Sequence, residues 1–201
     1  MANQDALQRQ FHGRRRMLSF GIAALASGML PLAAAQPPRR LDVPYEPSPA
    51  DVVERMLEMA GVNRNDLLYD LGCGDGRIVI AAATVYGARG VGIDLDPQRI
   101  EEAKANALRA GVQERVQFRQ GDLYTADFSD ATVVTLFLWP HVNRKLRPIL
   151  WRQLKPGTRV TSHVWDMGPE WPPERTETVR DRKIHLWTVT AAQKRQVQGL
   201  S

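Results

Sequence analysis

The sequence predicts an α/β fold built on a doubly wound, seven-stranded and mostly parallel sheet with an antiparallel edge strand. First, short apolar runs typical of strands alternate with helical patterns from residue 48 to residue 190. Second, the central runs are largely apolar on both faces, as expected when helices cover a sheet from both sides. Third, residues 166–175 are too few and too rich in proline for a crossover helix, so we expect the last two strands to be antiparallel neighbours at one edge.

Each element is predicted from its own pattern. An apolar run bounded by turn residues indicates a strand, and apolar residues three or four positions apart indicate a helix. We predict strands at 67–71, 91–94, 115–119, 131–138, 158–165, 176–180 and 184–190, and helices at 49–60, 78–86, 97–110 and 142–154.

Three details of the helices follow from single residues. Ser48 is expected to cap the first helix and Asp96 the third, because both side chains can accept from a free N–H of the first turn. Leu108 shares the apolar face of the third helix and should be buried. Pro148 is expected to interrupt the last helix, since its ring clashes with the preceding turn.

Residues 1–35 have the composition of a targeting segment. Four arginines precede an uncharged stretch at 17–35, which ends in the small residues Ala33–Ala35. This order is typical of a secretory signal with an A-x-A cleavage site. The three arginines at 14–16 also resemble a twin-arginine export signal. We therefore expect export to the periplasm or, if the segment is not cleaved, a membrane anchor; retention in the cytosol is the remaining alternative.

The net charge of +5 belongs mostly to this segment. Residues 1–35 hold four of the 27 lysines and arginines but one of the 22 acidic residues, which leaves +2 for the rest of the chain. That near-neutral charge gives no electrostatic reason to expect a nucleic-acid partner. The single cysteine, Cys73, excludes an internal disulfide framework and a cysteine-built zinc site, and we expect no metal.

Three acidic residues lie at the ends of three successive predicted strands. Asp70 lies at the end of the first strand and precedes a loop in which Gly72 and Gly74 allow close approach of a ligand, Asp94 ends the second strand, and Asp122 follows the third. Because ligands bind at the carboxyl ends of parallel strands, these acids should share one site. A carboxylate such as that of Asp94 can accept both hydroxyls of a ribose, so the site is expected to take a nucleotide cofactor.

The loop favours one of two nucleotide cofactors. A nicotinamide dinucleotide requires the spacing G-x-G-x-x-G, but residues 72–76 read G-x-G-x-G. An acid two residues before the loop disfavours a pyrophosphate. It suits a ligand with cationic groups, such as the amino and sulfonium groups of S-adenosyl-L-methionine.

With DLGCGDGR at 70–77, GVGIDLDP at 90–97 and QGDL at 120–123, the chain resembles the class I S-adenosylmethionine-dependent methyltransferases. The resemblance implies a Rossmann-like fold and a cofactor site made of conserved positions. In this chain the matching positions are Asp70, Gly72 and Gly74 for the methionine part, Asp94 for the ribose, and Leu95, Asp122 and Leu123 around the adenine.

A narrower resemblance is carried by VPYEPSP at 43–49, DLGCGDGRIVIAAA at 70–83 and VVTLFLWP at 133–140. These segments resemble a small lysine methyltransferase family whose eukaryotic members act on the adenine nucleotide translocase and the ATP synthase c-subunit. The resemblance implies that residues 36–47 close over the cofactor, with Tyr45 and Pro47 as matching positions. It makes 48–190 the methyltransferase domain and 191–201 a C-terminal tail. The chain departs from the family pattern at Cys73, where serine is common, and at Trp139, where a smaller residue is usual.

The methyl acceptor is expected at the ends of the fourth and fifth strands. A lysine must lose a proton before it is methylated, and an apolar mouth formed by Trp139 and Pro140 would lower its pKa by desolvation. His163 could relay that proton and Asp166 could orient the ammonium group; packing roles are the alternative for each.

The loop LWPH at 138–141 lacks the amide or acid that base-methylating enzymes place there, which also disfavours nucleic acid. We therefore expect a monomeric protein-lysine methyltransferase. A small-molecule methyltransferase and a non-catalytic cofactor-binding protein remain as alternatives.

Overall fold

The computed structural model describes residues 46–198. Tyr45, the targeting segment at 1–35 and most of the linker at 36–47 lie outside the described residues, as do residues 199–201. No helix in the described part of the chain combines the length and apolar character needed to cross a membrane.

Seven strands and five helices make up the described part of the chain. The strands are β1 (Leu67–Leu71), β2 (Arg89–Asp94), β3 (Val116–Gln120), β4 (Val133–Leu136), β5 (Arg159–His163), β6 (Arg175–Val179) and β7 (Arg182–Thr188). The helices are α1 (Ala50–Met59), α2 (Arg77–Tyr86), α3 (Pro97–Arg109), α4 (Pro140–Gln153) and α5 (Ala191–Gln198).

All seven strands form one sheet in the order β3-β2-β1-β4-β5-β7-β6. The first five pair in parallel, and β7 runs antiparallel to both of its neighbours, β5 and β6. The predicted fold class is therefore confirmed, with the reversed strand one position in from the edge. The order changes direction between β1 and β4, and a ligand cleft is expected beside this switch point.

Each face of the sheet has its own apolar core. On one face α1, α2 and α3 bury residues such as Met56, Val79 and Ala103 against the sheet. On the other face α4 buries Leu146 and Leu150. The two layers hold the carboxyl ends of β1, β2, β4 and β5 in fixed positions, so the loops that follow these strands meet at one rim.

Three details of the sequence prediction are wrong. Ser48 does not cap α1: Pro49 occupies the N-cap position, and the Ser48 hydroxyl turns to another partner described below. Leu108 is 66% exposed, because it lies at the edge of the apolar stripe of α3. Pro148 does not interrupt α4, which runs continuously through it, since the helix is anchored by buried residues on both sides of the proline.

One helix was not predicted. Residues 191–198, expected to belong to a tail, form α5 and pack against α4. Its sequence is mostly polar and gives little helical periodicity, so the contact with α4 rather than an apolar pattern in the sequence marks this helix.

Candidate cofactor and acceptor site

A cleft opens at the carboxyl ends of β1, β2 and β4, beside the switch point of the sheet. Its volume is about 960 Å³, measured out to the open mouth. Eight of the residues predicted to bind the cofactor line it, and they come from the carboxyl ends of strands, the loops that follow them and the segment before α1: Pro47, Asp70, Gly72, Gly74, Asp94, Leu95, Asp122 and Leu123.

The glycine loop between β1 and α2 is held in a conformation that side chains would prevent. Gly72, Gly74 and Gly76 all have positive φ angles, of 87°, 51° and 79°. A Cβ at Gly76 would lie 2.6 Å from the Phe118 ring, and a Cβ at Gly72 would lie 2.9 Å from Leu138. The backbone N–H groups of Gly72 and Cys73 both donate to the Ile93 carbonyl oxygen, which fixes the loop against β2. The loop therefore requires glycine for both conformation and space.

Asp70 is a buried acid at the floor of the cleft. It is 2% exposed, and its Oδ1 accepts a hydrogen bond of 2.8 Å from the Thr135 hydroxyl on the adjacent strand. Burial, reinforced by the negative charges of Asp94 and Asp75, raises the pKa of Asp70 to about 7. No cationic side chain among residues 46–198 forms an ion pair with it. A ligand with a positive charge would supply the missing partner, so the acid fits the amino end of S-adenosylmethionine.

Asp94 accepts hydrogen bonds from the backbone of two loops. Its Oδ2 accepts the Gly74 N–H at 2.8 Å, and its Oδ1 accepts the Asp96 N–H at 2.9 Å. Asp96 in turn caps α3 by accepting the Gln98 N–H, as the sequence predicted. Each Asp94 oxygen has further acceptor capacity, so the carboxylate can also receive hydroxyl donors from a ribose.

The loop after β3 forms another wall of the cleft. Asp122 accepts the Tyr124 N–H through Oδ1 at 2.9 Å, which orders the turn that carries Leu123. The Lys145 ammonium lies 3.6 Å from the centre of the Tyr124 ring. With Leu95 from the loop after β2, Leu123 gives this part of the cleft two apolar surfaces of the kind that a flat purine ring requires.

The segment before α1 covers the cleft from its remaining side. Pro47 and Ser48 line it, and the Ser48 carbonyl oxygen accepts from Arg77 Nη1 at 2.8 Å. The Ser48 hydroxyl lies 2.9 Å from His163 Nδ1, which ties the segment to the end of β5. Burial, with a smaller contribution from the Arg182 charge, lowers the pKa of His163 to about 4, so the ring is neutral at physiological pH.

None of the four predicted acceptor residues is among those that line the cleft, although Trp139 and Pro140 directly follow the lining residues Phe137 and Leu138 in the chain. Trp139 is 49% exposed immediately before α4, and Pro140 is the first residue of that helix. His163 is only 1% exposed and lies behind Phe137, with a distance of 4.0 Å between the ring centres. Asp166 is exposed and accepts the N–H of Gly168, which stabilises its own loop.

Some residues of the cleft were not predicted from the sequence. Phe137, Tyr124 and Val142 line it, and so do Arg77 and Asp75, which form an ion pair of 2.6 Å. The aromatic character of Phe137 and Tyr124, each within two residues of a predicted site residue, is the signal that could have found them. His141 is exposed outside the cleft, and its ring lies edge-on to Trp139 with 6.4 Å between the ring centres.

Comparison with known proteins agrees with this geometry. The sequence profile of the ANTKMT methyltransferase domain matches residues 70–175, a range that begins at Asp70 and includes the loops of the cleft. A protein-lysine N-methyltransferase of Saccharolobus islandicus is 47% identical over 144 residues, which cover 71% of this chain and 89% of that protein. The chain belongs to the ANTKMT methyltransferase family.

Two further relatives of this ANTKMT family member carry different substrate names. The adenine nucleotide translocase lysine N-methyltransferase of Mus musculus is 36% identical, over 74% of this chain and 66% of that protein. A crystal structure named an RNA methyltransferase, from Salinibacter ruber and in complex with S-adenosyl-L-homocysteine, is 57% identical and has a TM-score of 0.72. The match covers 73% of this chain and 95% of that one.

This member of the ANTKMT family is therefore an S-adenosylmethionine-dependent methyltransferase, as the sequence predicted. The relatives agree on the type of reaction and differ in the macromolecule that their names give as substrate.

Proposed function

We propose that this methyltransferase acts on proteins and transfers a methyl group to the ε-amine of a lysine side chain. The observation that carries this proposal is the mouth of the cleft, which is open and aromatic. Phe137 lines the cleft, and two tryptophans that follow the ends of β4 and β5 in the chain, Trp139 and Trp165, are 49% and 40% exposed. The names of the archaeal and mouse relatives support the same substrate class.

The proposed cofactor contacts follow from the walls of the cleft. Asp70 would accept from the amino group of S-adenosylmethionine, and Asp94 from the ribose hydroxyls. Leu95 and Leu123 would enclose the adenine, and Asp122 would lie beside it. Pro47 would close the cofactor from the side of the N-terminal segment. When bound, the cofactor supplies an electrophilic methyl group on a sulfonium ion, which a neutral amine can displace in line.

The protein's contribution is to position and desolvate the amine. A free lysine has a pKa of about 10.4 and is almost fully protonated at neutral pH. Contact with Trp139 and Phe137 would remove water from the ammonium group and lower its pKa, which increases the fraction of neutral amine. Holding that amine in line with the methyl group then converts a bimolecular reaction into an effectively unimolecular one.

His163 is assigned a positioning role in this proposal. Its ring is buried behind Phe137, and a group with a pKa of about 4 holds a proton too weakly to be an efficient base at neutral pH. The ring contacts Ser48, which belongs to the segment that covers the cleft, and Phe137, which lines the cleft. It therefore fixes two walls of the site relative to each other.

RNA is the second candidate substrate, because the 57% identical structure from Salinibacter ruber is named an RNA methyltransferase. The sequence of the mouth argues against a base amine as the acceptor. Leu138, Trp139 and Pro140 offer no side-chain amide or carboxylate to accept from such an amine. Exposed tryptophans could stack on bases, however, so the two substrates have to be separated by experiment.

The test uses the full chain, labelled S-adenosylmethionine and an extract that contains both protein and RNA. We expect label that protease releases and ribonuclease does not, and methylated lysine after acid hydrolysis. Asp94→Asn should abolish the label, whereas Asp181→Ala, which removes an exposed carboxylate in the turn between β6 and β7, should not. Label that only ribonuclease releases, or that appears only in small metabolites, would refute a lysine acceptor.

For the N-terminal segment we infer export through a twin-arginine type of signal, on the basis of its basic and apolar composition. A folded, cofactor-loaded protein could leave the cytosol by this route, which would reconcile export with a cofactor made in the cytosol. Cell fractionation followed by N-terminal sequencing tests this inference. A soluble cytosolic protein that retains Met1 would contradict it.

A further inference from the structure

One face of the molecule is rich in positive charge, and this face begins at the mouth of the cleft. No aspartate or glutamate occurs between Ala131 and Trp165, whereas six lysines and arginines do. Most of these cations lie on α4, which starts at the mouth, and α5 packs beside it with two more cations and no acid. We call the exposed or half-exposed members the basic face: Arg144, Lys145, Arg152, Lys155, Lys194 and Arg195.

The charges of the basic face are only partly balanced within the described structure: Glu170 lies near Arg144, whose charge helps to lower the pKa of that carboxyl. Arg147 and Arg159 are excluded from it because they form ion pairs, with Glu170 and Asp66. None of the ion pairs between residues 46 and 198 involves a member of the basic face. The first turn of α4 also lacks the acidic residue that the helix dipole favours at that end. Arg144 and Lys145 thus lie in the half of α4 where the helix dipole does not favour cations, whereas Arg152 lies in the last turn, where it does.

Two contacts connect the start of the basic face to the reaction site, and a third joins its two helices. Lys145 lies over Tyr124, a residue of the cleft wall, at 3.6 Å. Asn143, which precedes Arg144, donates through Nδ2 to the Trp165 carbonyl oxygen at 3.1 Å at the other side of the mouth. Lys194 Nζ donates to the Arg152 carbonyl oxygen at 2.7 Å, which joins α5 to the far end of α4. The face therefore runs from the mouth along a 14-residue helix, a distance of about 21 Å.

We propose that the basic face binds acidic residues that flank the target lysine, so that the enzyme selects lysines in acidic segments. This inference rests on the proposed protein-lysine acceptor. An extended chain advances about 3.3 Å per residue, so the face can contact about six residues on one side of the lysine. Complementary charge would speed encounter and hold such a segment, while segments rich in lysine and arginine would be repelled.

The same charges would assist the chemistry. A positive potential at the mouth disfavours the ammonium form of an incoming lysine and so lowers its pKa. The basic face would also repel that ammonium group during binding. Acidic residues that flank the lysine would compensate for this repulsion, because they contact the face at a distance from the reacting nitrogen. Selection of acidic segments and deprotonation of the target amine thus depend on one feature of the surface.

The test compares three peptides that share a central lysine and differ only in their flanks: glutamate on the N-terminal side, glutamate on the C-terminal side, or glutamine on both. For the wild type we expect one acidic peptide to exceed the neutral peptide in kcat/KM by about fivefold, from two or more exposed charge pairs. The difference should lie in KM and should shrink at high ionic strength.

Matched variants attribute this effect to the basic face. In the double variant Arg144→Gln with Arg152→Gln, kcat/KM for the preferred acidic peptide should fall to the value for the neutral peptide, which should not change. Arg64→Gln removes an exposed arginine at the opposite end of the strands and should leave all three peptides unaffected.

Equal kcat/KM for the three peptides in the wild type would overturn the role of the basic face, and so would an equal loss for acidic and neutral peptides in the double variant. Neither outcome would affect the proposed protein-lysine acceptor. Methylation of no peptide by an enzyme that binds S-adenosylmethionine, with methylation of RNA that depends on Arg144 and Arg152, would overturn the proposed protein substrate as well.

Discussion

Ser48 Oγ and His163 Nδ1 lie 2.9 Å apart, although 115 residues separate them in the chain. Both residues are buried, at 3% and 1% exposure, so this hydrogen bond is shielded from water. It connects the segment that covers the cofactor cleft with the strand that ends at the acceptor mouth. Two contacts therefore hold the covering segment in place. The Ser48 side chain contacts His163, and the Ser48 carbonyl oxygen accepts from Arg77.

We therefore expect Ser48→Ala to weaken binding of S-adenosylmethionine by about three- to tenfold, the range for one buried hydrogen bond. Isothermal titration calorimetry of the full chain measures this directly and needs no acceptor substrate. Thr176→Ala is the matched control, because the Thr176 hydroxyl lies 2.8 Å from His185 Nδ1, away from the cleft. Unchanged affinity in Ser48→Ala, or an equal loss in Thr176→Ala, would contradict the role of the contact in covering the cofactor.

Asp70→Asn should stabilise the protein without cofactor and weaken cofactor binding. The folded protein raises the pKa of Asp70 from 3.8 to about 7, so the buried carboxylate is ionised at an energetic cost above pH 7. Asparagine keeps the shape and can still accept from Thr135. At pH 8 we expect a melting temperature higher by about 5 °C in thermal denaturation followed by circular dichroism.

The pH dependence gives this prediction a definite sign. A group whose pKa is raised on folding stabilises the folded state below its unfolded pKa and loses that contribution as the pH rises. The gain from Asp70→Asn should therefore be absent near pH 4, grow up to about pH 7 and then level off. His163 acts in the opposite direction, because its lowered pKa of about 4 removes stability as the pH falls below 6.5. A gain that does not vary with pH would exclude ionisation of Asp70 as its cause.

The affinity for the cofactor should also depend on the ionisation of Asp70. Here the ionised form is favourable, although it destabilises the folded protein without cofactor. A cationic amino group binds the ionised carboxylate, so wild-type affinity for S-adenosylmethionine should rise with pH up to about pH 7. Asp94 and Asp75 are the other charges that act on Asp70. In Asp70→Asn the affinity should be lower at all pH values and lose this dependence. A wild-type affinity that is constant from pH 5 to pH 8 would rule out Asp70 as the partner of the amino group.

The glycine loop permits a prediction that separates steric space from backbone strain. Gly76 and Gly111 have similar φ angles, of 79° and 70°. A Cβ at Gly76 would clash with Phe118 and Ala103, whereas a Cβ at Gly111 would meet nothing within 4 Å. Gly111→Ala should thus cost about 1 kcal/mol for strain alone and Gly76→Ala about 3 kcal/mol or more. Chemical denaturation measures both, and equal losses would show that space at Gly76 does not matter.

The sequence predicted the parts of the site that depend on short stretches of chain. Asp70 and Asp94 lie at the carboxyl ends of β1 and β2, and Asp122 lies two residues after β3, so the prediction of parallel strands was sufficient to bring them to one rim. These residues needed no knowledge of side-chain packing.

Contacts between distant segments could not be predicted in this way. Ser48 has the residue type and position of a helix cap, and only the tertiary structure shows that its hydroxyl is used by His163 instead. Pro148 breaks a local rule, but α4 continues because Leu146 and Leu150 are both fully buried around it. Local propensity and tertiary packing compete at such positions, and local sequence patterns allow only the propensity to be predicted.

Trp139 gives the last prediction, on the acceptor side of the site. Its side chain forms no cap bond, and only its backbone carbonyl oxygen accepts from Val142 and Asn143 at the start of α4. Trp139→Ala should therefore leave the helix and the affinity for S-adenosylmethionine unchanged. We expect KM for a lysine peptide to rise by about tenfold, from the loss of apolar contact with the lysine side chain.

The pH profile distinguishes desolvation from simple contact at Trp139. If the indole removes water from the target amine, its loss should raise the pKa of that amine in the complex, and the acidic limb of kcat should move to higher pH. Trp139→Phe keeps an aromatic ring and should restore most of the wild-type profile. Val85→Ala, which shortens an exposed apolar side chain on α2, controls for surface changes and should have no effect. An unshifted limb in Trp139→Ala, together with unchanged KM, would place the acceptor away from Trp139 and leave Phe137 as the aromatic side chain lining its path.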